Sequence, residues 1–254
     1  PPIVPSKPST KPTETPVKDN SDKEPSGAIE EEEVTYPTKN DAALLDSENH
    51  IAYVNGYNDG TVRPEAKITR AEAATMFYRL LNEDVKAEYE TDENEFSDVS
   101  EADWYCTAVS TLANIGIFGG YPDGSFRPDA YITRAEFAAI CARIDGEDAD
   151  ETAEYSDIDG HWAADEISRV AELGWVKGYT DGTFRPNQQI TRAEAMAVIN
   201  RITERNPETK ADLLDSMKTW VDNTEDKWYY IDVQEATVAH DYERKDNGRE
   251  AWAD

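Results

Sequence analysis

Three glycines in this chain, Gly56, Gly120 and Gly178, are each followed fourteen residues later by an arginine, Arg70, Arg134 and Arg192. Between them every copy reads Gly-Tyr, a tight turn, Arg-Pro and Ile-Thr-Arg, and an Ala-Glu pair then leads into an apolar stretch. Self-similarity of this kind defines a repeat architecture, in which each unit buries its apolar face against its neighbours. Three copies without an insertion imply a rigid unit.

A second half-unit reads Ser-Asp, Trp, and a helical pattern ending in Gly. It occurs as Ser97, Asp98, Trp104 and Gly116, and as Ser156, Asp157, Trp162 and Gly174. Twelve residues separate tryptophan from glycine both times, about three helical turns closed by a glycine C-cap. The stretch before Gly56 is too short to hold this half. Asp222, Trp228, Tyr229 and the run to His240 repeat it after the third Ile-Thr-Arg-Ala-Glu, with His240 in place of the glycine. The pattern predicts a ring of three units, the first completed by the C-terminal segment. Removing that segment is expected to expose Ala73 to Leu81.

Thr69 followed three residues later by Glu72 is a capping box, as are Thr133 with Glu136 and Thr191 with Glu194. Ile132 and Phe137 flank one box at the staple positions. Beyond the boxes, Ala73, Met76, Phe77 and Leu80, and likewise Phe137, Ile140, Cys141 and Ile144, keep the spacing of one buried helical face.

Helix initiation explains threonine and glutamate but not the arginine between them. Arg70, Arg134 and Arg192 hold the first helical position, where the macrodipole favours anions over cations. Two partners fit: an external carboxylate or phosphate, met by free amides and the guanidinium fork, or a carboxylate of a neighbouring repeat such as Asp98 or Asp157.

The Tyr-x-Asp-Gly turns use glycine for positive φ. They lack the alternating oxygen ligands of a calcium loop, so no metal is assigned to them. Arg63, Arg127 and Arg185, each before a proline, add charge to the site or bond turn carbonyls. Trp104, Trp162 and Trp228 stand beside Asp98, Asp157 and Asp222 near helix starts; aromatic faces with Asp and Arg are a saccharide-binding composition. No nucleophile stands at a recognisable spacing from a base, and His50, His161 and His240 are scattered. Cys106 and Cys141 are too few for a disulfide framework; two small buried thiols or one bridge both fit.

Of the 254 residues, 54 are Asp or Glu and 25 Lys or Arg, a net charge of −29. That balance excludes nucleic acid and anionic membranes as partners, and any cations that meet an anionic ligand must be local. No apolar run is long enough to span a membrane. Residues 1–40, rich in Pro, Thr, Ser, Lys and Glu, read as a disordered linker. The chain starts at Pro1 and reads as a piece of a longer polypeptide.

These residues resemble the S-layer homology domain family. The likeness rests on Phe96-Ser97-Asp98-Val99 with Trp104, Tyr155-Ser156-Asp157-Ile158 with His161-Trp162, the Gly-Tyr-x-Asp-Gly turns and the three Thr-Arg-Ala-Glu motifs. It covers residues 41–242. It implies a mainly α, pseudo-threefold trefoil around a central three-helix bundle, with short turns and strands and ligand grooves between repeats. The repeats then fall at residues 41–90 completed by 215–245, at 95–150 and at 154–206, with 246–254 as a C-terminal tail.

The resemblance further implies a non-enzymatic module without cofactors. It would sit outside the cell, at a bacterial cell wall or S-layer, and anchor a larger protein non-covalently to an anionic, pyruvylated wall polysaccharide. The implied contacts are Arg70, Arg134 and Arg192, the three tryptophans, Asp98, Asp157 and Asp222, and Gly56, Gly120 and Gly178, on a monomeric domain. Two rivals from other classes are a self-associating lattice module and a wall hydrolase.

Overall fold

A computed structural model describes residues 44–253. The linker expected at residues 1–40 lies outside this range. Seven α-helices carry the fold: α1 (Arg70–Arg79), α2 (Glu83–Tyr89), α3 (Cys106–Asn114), α4 (Arg134–Asp145), α5 (Ala164–Glu172), α6 (Arg192–Ile202) and α7 (Tyr230–Thr237). A two-stranded antiparallel sheet, β1 (Asp241–Arg244) and β2 (Glu250–Ala253), follows α7.

Helices α1, α4 and α6 begin one residue after Thr69, Thr133 and Thr191, and all three capping boxes are formed in both directions. Their apolar faces share one core. Ala73, Met76, Phe77 and Leu80 are buried, as are Phe137, Ile140 and Cys141, with Ile144 partly so. The rings of Phe77 and Phe137 lie 5.4 Å apart inside it. Cys106 and Cys141 are free buried thiols, and burial pushes the Cys141 thiol up.

Isolated bridges join the segments that lead into the three helices: Thr69 to Tyr131, Thr133 to Gln189 and Lys67 to Thr191. Each capped helix then carries one helix of the second half-unit. α3 packs on α1, α5 on α4 and α7 on α6. Gly116 and Gly174 close α3 and α5 in the left-handed region, at φ of 88° and 72°.

The C-terminal segment works on two repeats at once. Trp220 packs on Gly56, where a Cβ would meet its ring at 2.0 Å, as Phe96 packs on Gly120 and Tyr155 on Gly178. Asp222 accepts the N–H groups of Val62 and Arg63, and the carbonyl of Ala236 accepts those of Tyr53 and Val54. It thus supports the turn of the first repeat, yet α7 covers α6. The expectation that its loss would expose Ala73 to Leu81 is corrected: that surface belongs under α3. Residues 246–254 were expected as a tail; up to Ala253 they instead supply β2, whose Glu250 and Trp252 are buried.

Candidate functional site

Each helix-heading arginine reaches across to the next repeat and is buried there. Arg134 donates through Nε to Phe184 O at 2.9 Å, through Nη2 to Lys177 O at 3.2 Å, and through Nη1 to Glu194 Oε1 at 3.2 Å. Arg192 makes the equivalent bonds to Val62 O, Asn55 O and Glu72 Oε1. Arg70 bonds to Phe126 O and Gly119 O, and its Nη1 lies 3.8 Å from Glu136 Oε1. Tyr121, Tyr179 and Tyr57 lay their rings beside these guanidinium groups.

This geometry resolves the cation at the helix start. The amides of Arg134 and Ala135 are not free: they donate to Gln188 O and Pro186 O of the next repeat, and the other two helices are paired the same way. The arginine faces carbonyl dipoles and the next repeat's capping glutamate instead. That glutamate serves twice, since Glu194 Oε2 caps Thr191 while Oε1 meets Arg134. In the equivalent place, Glu136 Oε1 also accepts the Tyr121 hydroxyl at 2.8 Å, and burial first, then this bond, pushes that phenol up to about 12.

The expected partners Asp98 and Asp157 are therefore not the arginines' carboxylates. Asp98 accepts the N–H groups of Phe126 and Arg127, Asp157 those of Phe184 and Arg185, and Asp222 matches them. They hold Arg63, Arg127 and Arg185 at φ of 53°, 60° and 59°, a left-handed conformation costly for a side-chain-bearing residue. Those arginines bond the turn aspartates, Asp59, Asp123 and Asp181, rather than carbonyls. Gly56, Gly120 and Gly178 are fixed by the aromatic packing described above. Neither the motif aspartates nor these glycines line the two grooves described next.

Both grooves are lined by a helix-heading arginine and a tryptophan. The larger encloses about 230 Å³ between Arg134, Lys177, Tyr179, Glu194, Arg201 and Trp228, over a floor that includes Val176 and Val198. The smaller, about 10 Å³, lies between Arg70, Glu136, Arg143 and Trp162, over Phe118 and Ile140. The tryptophan thus comes from the half-unit whose helix packs on the groove's capped helix. By the same packing Trp104, just before α3, stands with α1 and the Arg192–Glu72 pair. None of the three is core: Trp104 is 67% exposed, Trp162 37% and Trp228 65%.

Sequence reasoning missed a second arginine in each unit. Arg79, Arg143 and Arg201 each donate to a carbonyl, of Tyr53, Ile117 and Trp175. Their signal was legible, for each stands nine residues after the first arginine. The histidines are not all scattered either. His50 Nδ1 and His240 Nε2 lie 3.0 Å apart.

A family model of the S-layer homology domain matches residues 52–74, 95–138 and 154–196. The chain belongs to that family, with three tandem repeats, and is a module of the extracellular cell surface. It is 36% identical over 222 residues to cell surface glycoprotein 1 of Acetivibrio thermocellus, which covers 83% of this chain and 9% of that protein. A cellulosome-anchoring protein of the same organism is 37% identical over 212 residues, 81% of this chain and 46% of that protein. An S-layer protein of Bacillus licheniformis is 30% identical over 151 residues, 57% of this chain and 16% of that protein. The chain thus spans less than half the length of these relatives.

Proposed function

We propose that this domain binds an anionic, pyruvylated wall polysaccharide in the grooves between its repeats, as a monomer, and so holds a larger protein on the wall. The groove of Arg134 and Trp228 is the principal site. The observation that carries this reading is local charge: in a chain of net charge −29, Arg134, Lys177 and Arg201 converge on one open groove. A guanidinium has five N–H groups and three of Arg134's are committed, which leaves two for a ligand carboxylate. Trp228, in the same groove, offers a flat apolar face for a sugar ring. A pyruvate ketal supplies one carboxylate, and the sugar supplies the face.

Calorimetry against purified wall polymer tests it, before and after mild acid removes the ketal. Binding by the first and at least tenfold weaker binding by the second is the expected result. Equal binding removes the carboxylate from the reading. Concentration-dependent oligomers without binding favour the lattice module instead.

A further inference from the structure

Four side chains that no groove uses converge behind α7. His50 enters from the segment before Gly56, Glu235 from α7, His240 from beyond its end and Glu250 from β2. His50 Nδ1 lies 3.0 Å from His240 Nε2 and 3.2 Å from Glu235 Oε1. His240 Nε2 lies 3.2 Å from the same Glu235 oxygen, and His50 Nδ1 lies 3.8 Å from Glu250 Oε1. A tetrahedral zinc ion with bonds of about 2.0–2.1 Å separates its donors by about 3.3–3.4 Å. Three of the donors lie within about 0.4 Å of that spacing, and Glu250 completes the set from 3.8 Å, all four lying within 4.8 Å of one another.

We infer that His50, Glu235, His240 and Glu250 form a binding site for a divalent cation of the zinc class, which clasps the start of the repeat ring to its C-terminal closure. All four side chains are buried, and Glu235 Oε1 faces both imidazole rings at 3.2 Å. Among the described residues the ion pairs of these two glutamates are with His50 and His240 alone. Arg205, close by, donates to the carbonyls of Asn49 and Ile51 and pairs with neither glutamate. Neither buried carboxylate thus has an arginine or lysine in its ion pairs, and a divalent ion with two neutral imidazoles balances them.

The surroundings orient the donors as a metal site requires. His240 Nδ1 contacts Val238 O at 2.9 Å, which places the ring proton there and turns the Nε2 lone pair inward. Trp252 Nε1 donates to Glu235 Oε2 at 2.8 Å, and the amide of Asn206 to Glu250 Oε1 at 2.8 Å. Tyr242 stacks on His50 at 4.0 Å and Trp252 on His240 at 3.9 Å, covering the cluster. Two imidazoles and two carboxylates suit Zn²⁺ better than the oxygen-seeking Ca²⁺ or Mg²⁺. His240, the residue that breaks the glycine pattern of the repeat, thereby acquires a reason.

The test uses the whole chain, stripped with EDTA and titrated with ZnCl₂ alone. One ion per chain is expected, with melting raised by roughly 5–10 °C at a hundredfold excess over Kd. Co²⁺ in its place is expected to give the strong visible absorption of tetrahedral coordination. Glu250→Gln and His240→Ala should each weaken zinc binding at least tenfold, whereas His161→Ala, outside the cluster, should not. If His240→Ala fails to fold, Glu250→Gln carries the comparison. No zinc uptake, or equal uptake by the Glu250→Gln chain, overturns the inference. Uptake without a melting shift or the cobalt spectrum marks scattered binding to surface carboxylates and overturns it as well.

Discussion

The groove of Arg134 and the groove of Arg70 are built from the same motifs, yet one encloses about 230 Å³ and the other about 10 Å³. The frames match in their arginine-to-carbonyl bonds, while Arg134 hydrogen-bonds Glu194 at 3.2 Å and Arg70 stands 3.8 Å from Glu136. Lys177 lines the larger groove where the smaller has Gly119, and beneath, Val176 stands where the smaller groove has Phe118, two residues before the motif glycine, and Val198 where it has Ile140. Trp228 is also more exposed than Trp162, at 65% against 37%. The motif thus marks the frame, while the space for a ligand is set by side chains outside it.

The largest expected effect tests the frame. Arg134→Ala removes one partner of a buried ion pair, leaves two carbonyls without their donor and deprives Glu194 of its cation, so it should destabilise the domain by roughly 3–5 kcal/mol, and Arg70→Ala similarly. Urea unfolding measures this. A loss below about 1 kcal/mol for both would mean that the arginines do not tie the repeats together. The sequence left two partners open, an external anion met by free helix amides or a carboxylate of a neighbouring repeat such as Asp98 or Asp157; the structure gives a third, the next repeat's carbonyls and capping glutamate.

The next effect concerns binding alone. Trp228→Ala removes an exposed ring and should leave melting nearly unchanged while weakening polymer binding by about 2 kcal/mol or more, some thirtyfold. Trp162→Ala should weaken it far less. Equal losses in calorimetry would break the ranking of the grooves.

Swapping the floors sharpens the same point. Val176→Phe should fill the larger groove and reduce affinity about tenfold, and Phe118→Val should open the smaller one at a stability cost of about 1–3 kcal/mol. A polymer stoichiometry that rises in the second variant would show that the floor, not the rim, decides occupancy.

Much of this was legible before any coordinates. Capping boxes, helix faces and the half-unit missing before Gly56 are local or periodic signals, and a single chain displays them. The arginines' partners were not legible, because Phe184 O and Lys177 O are backbone atoms with no sequence signature, some forty to fifty residues from Arg134. The aspartates misled for a related reason. Asp98 looked like a charge partner, and it holds two amides instead. His50 and His240 are separated by 190 residues, so only ring closure brings them together.

The smallest expected effect asks whether the turns contribute to the difference between grooves. Those turns differ at two residues, Pro122 and Ser125 beside the Arg70 groove against Thr180 and Thr183 beside the Arg134 groove, and of these Ser125 and Thr183 bond the turn aspartate. Thr183 donates its hydroxyl to Asp181, Arg185 adds a second bond, and together with the Thr183 amide they hold that carboxyl near pKa about 2 against an ordinary 3.8. Asp123 is held low in the same way by Ser125 and Arg127. A depressed folded pKa means stability that is present above about 3.8 and fades as pH falls toward 2. Both carboxyls are fully exposed, so solvent keeps the energetic consequence small and the titration itself is the readout. Carboxyl-carbon NMR should find Asp181 titrating near 2, and Thr183→Val should raise it while polymer affinity stays the same. If affinity falls with that substitution, the turn shapes the larger groove, and Val176, Lys177 and Val198 are not its sole distinction.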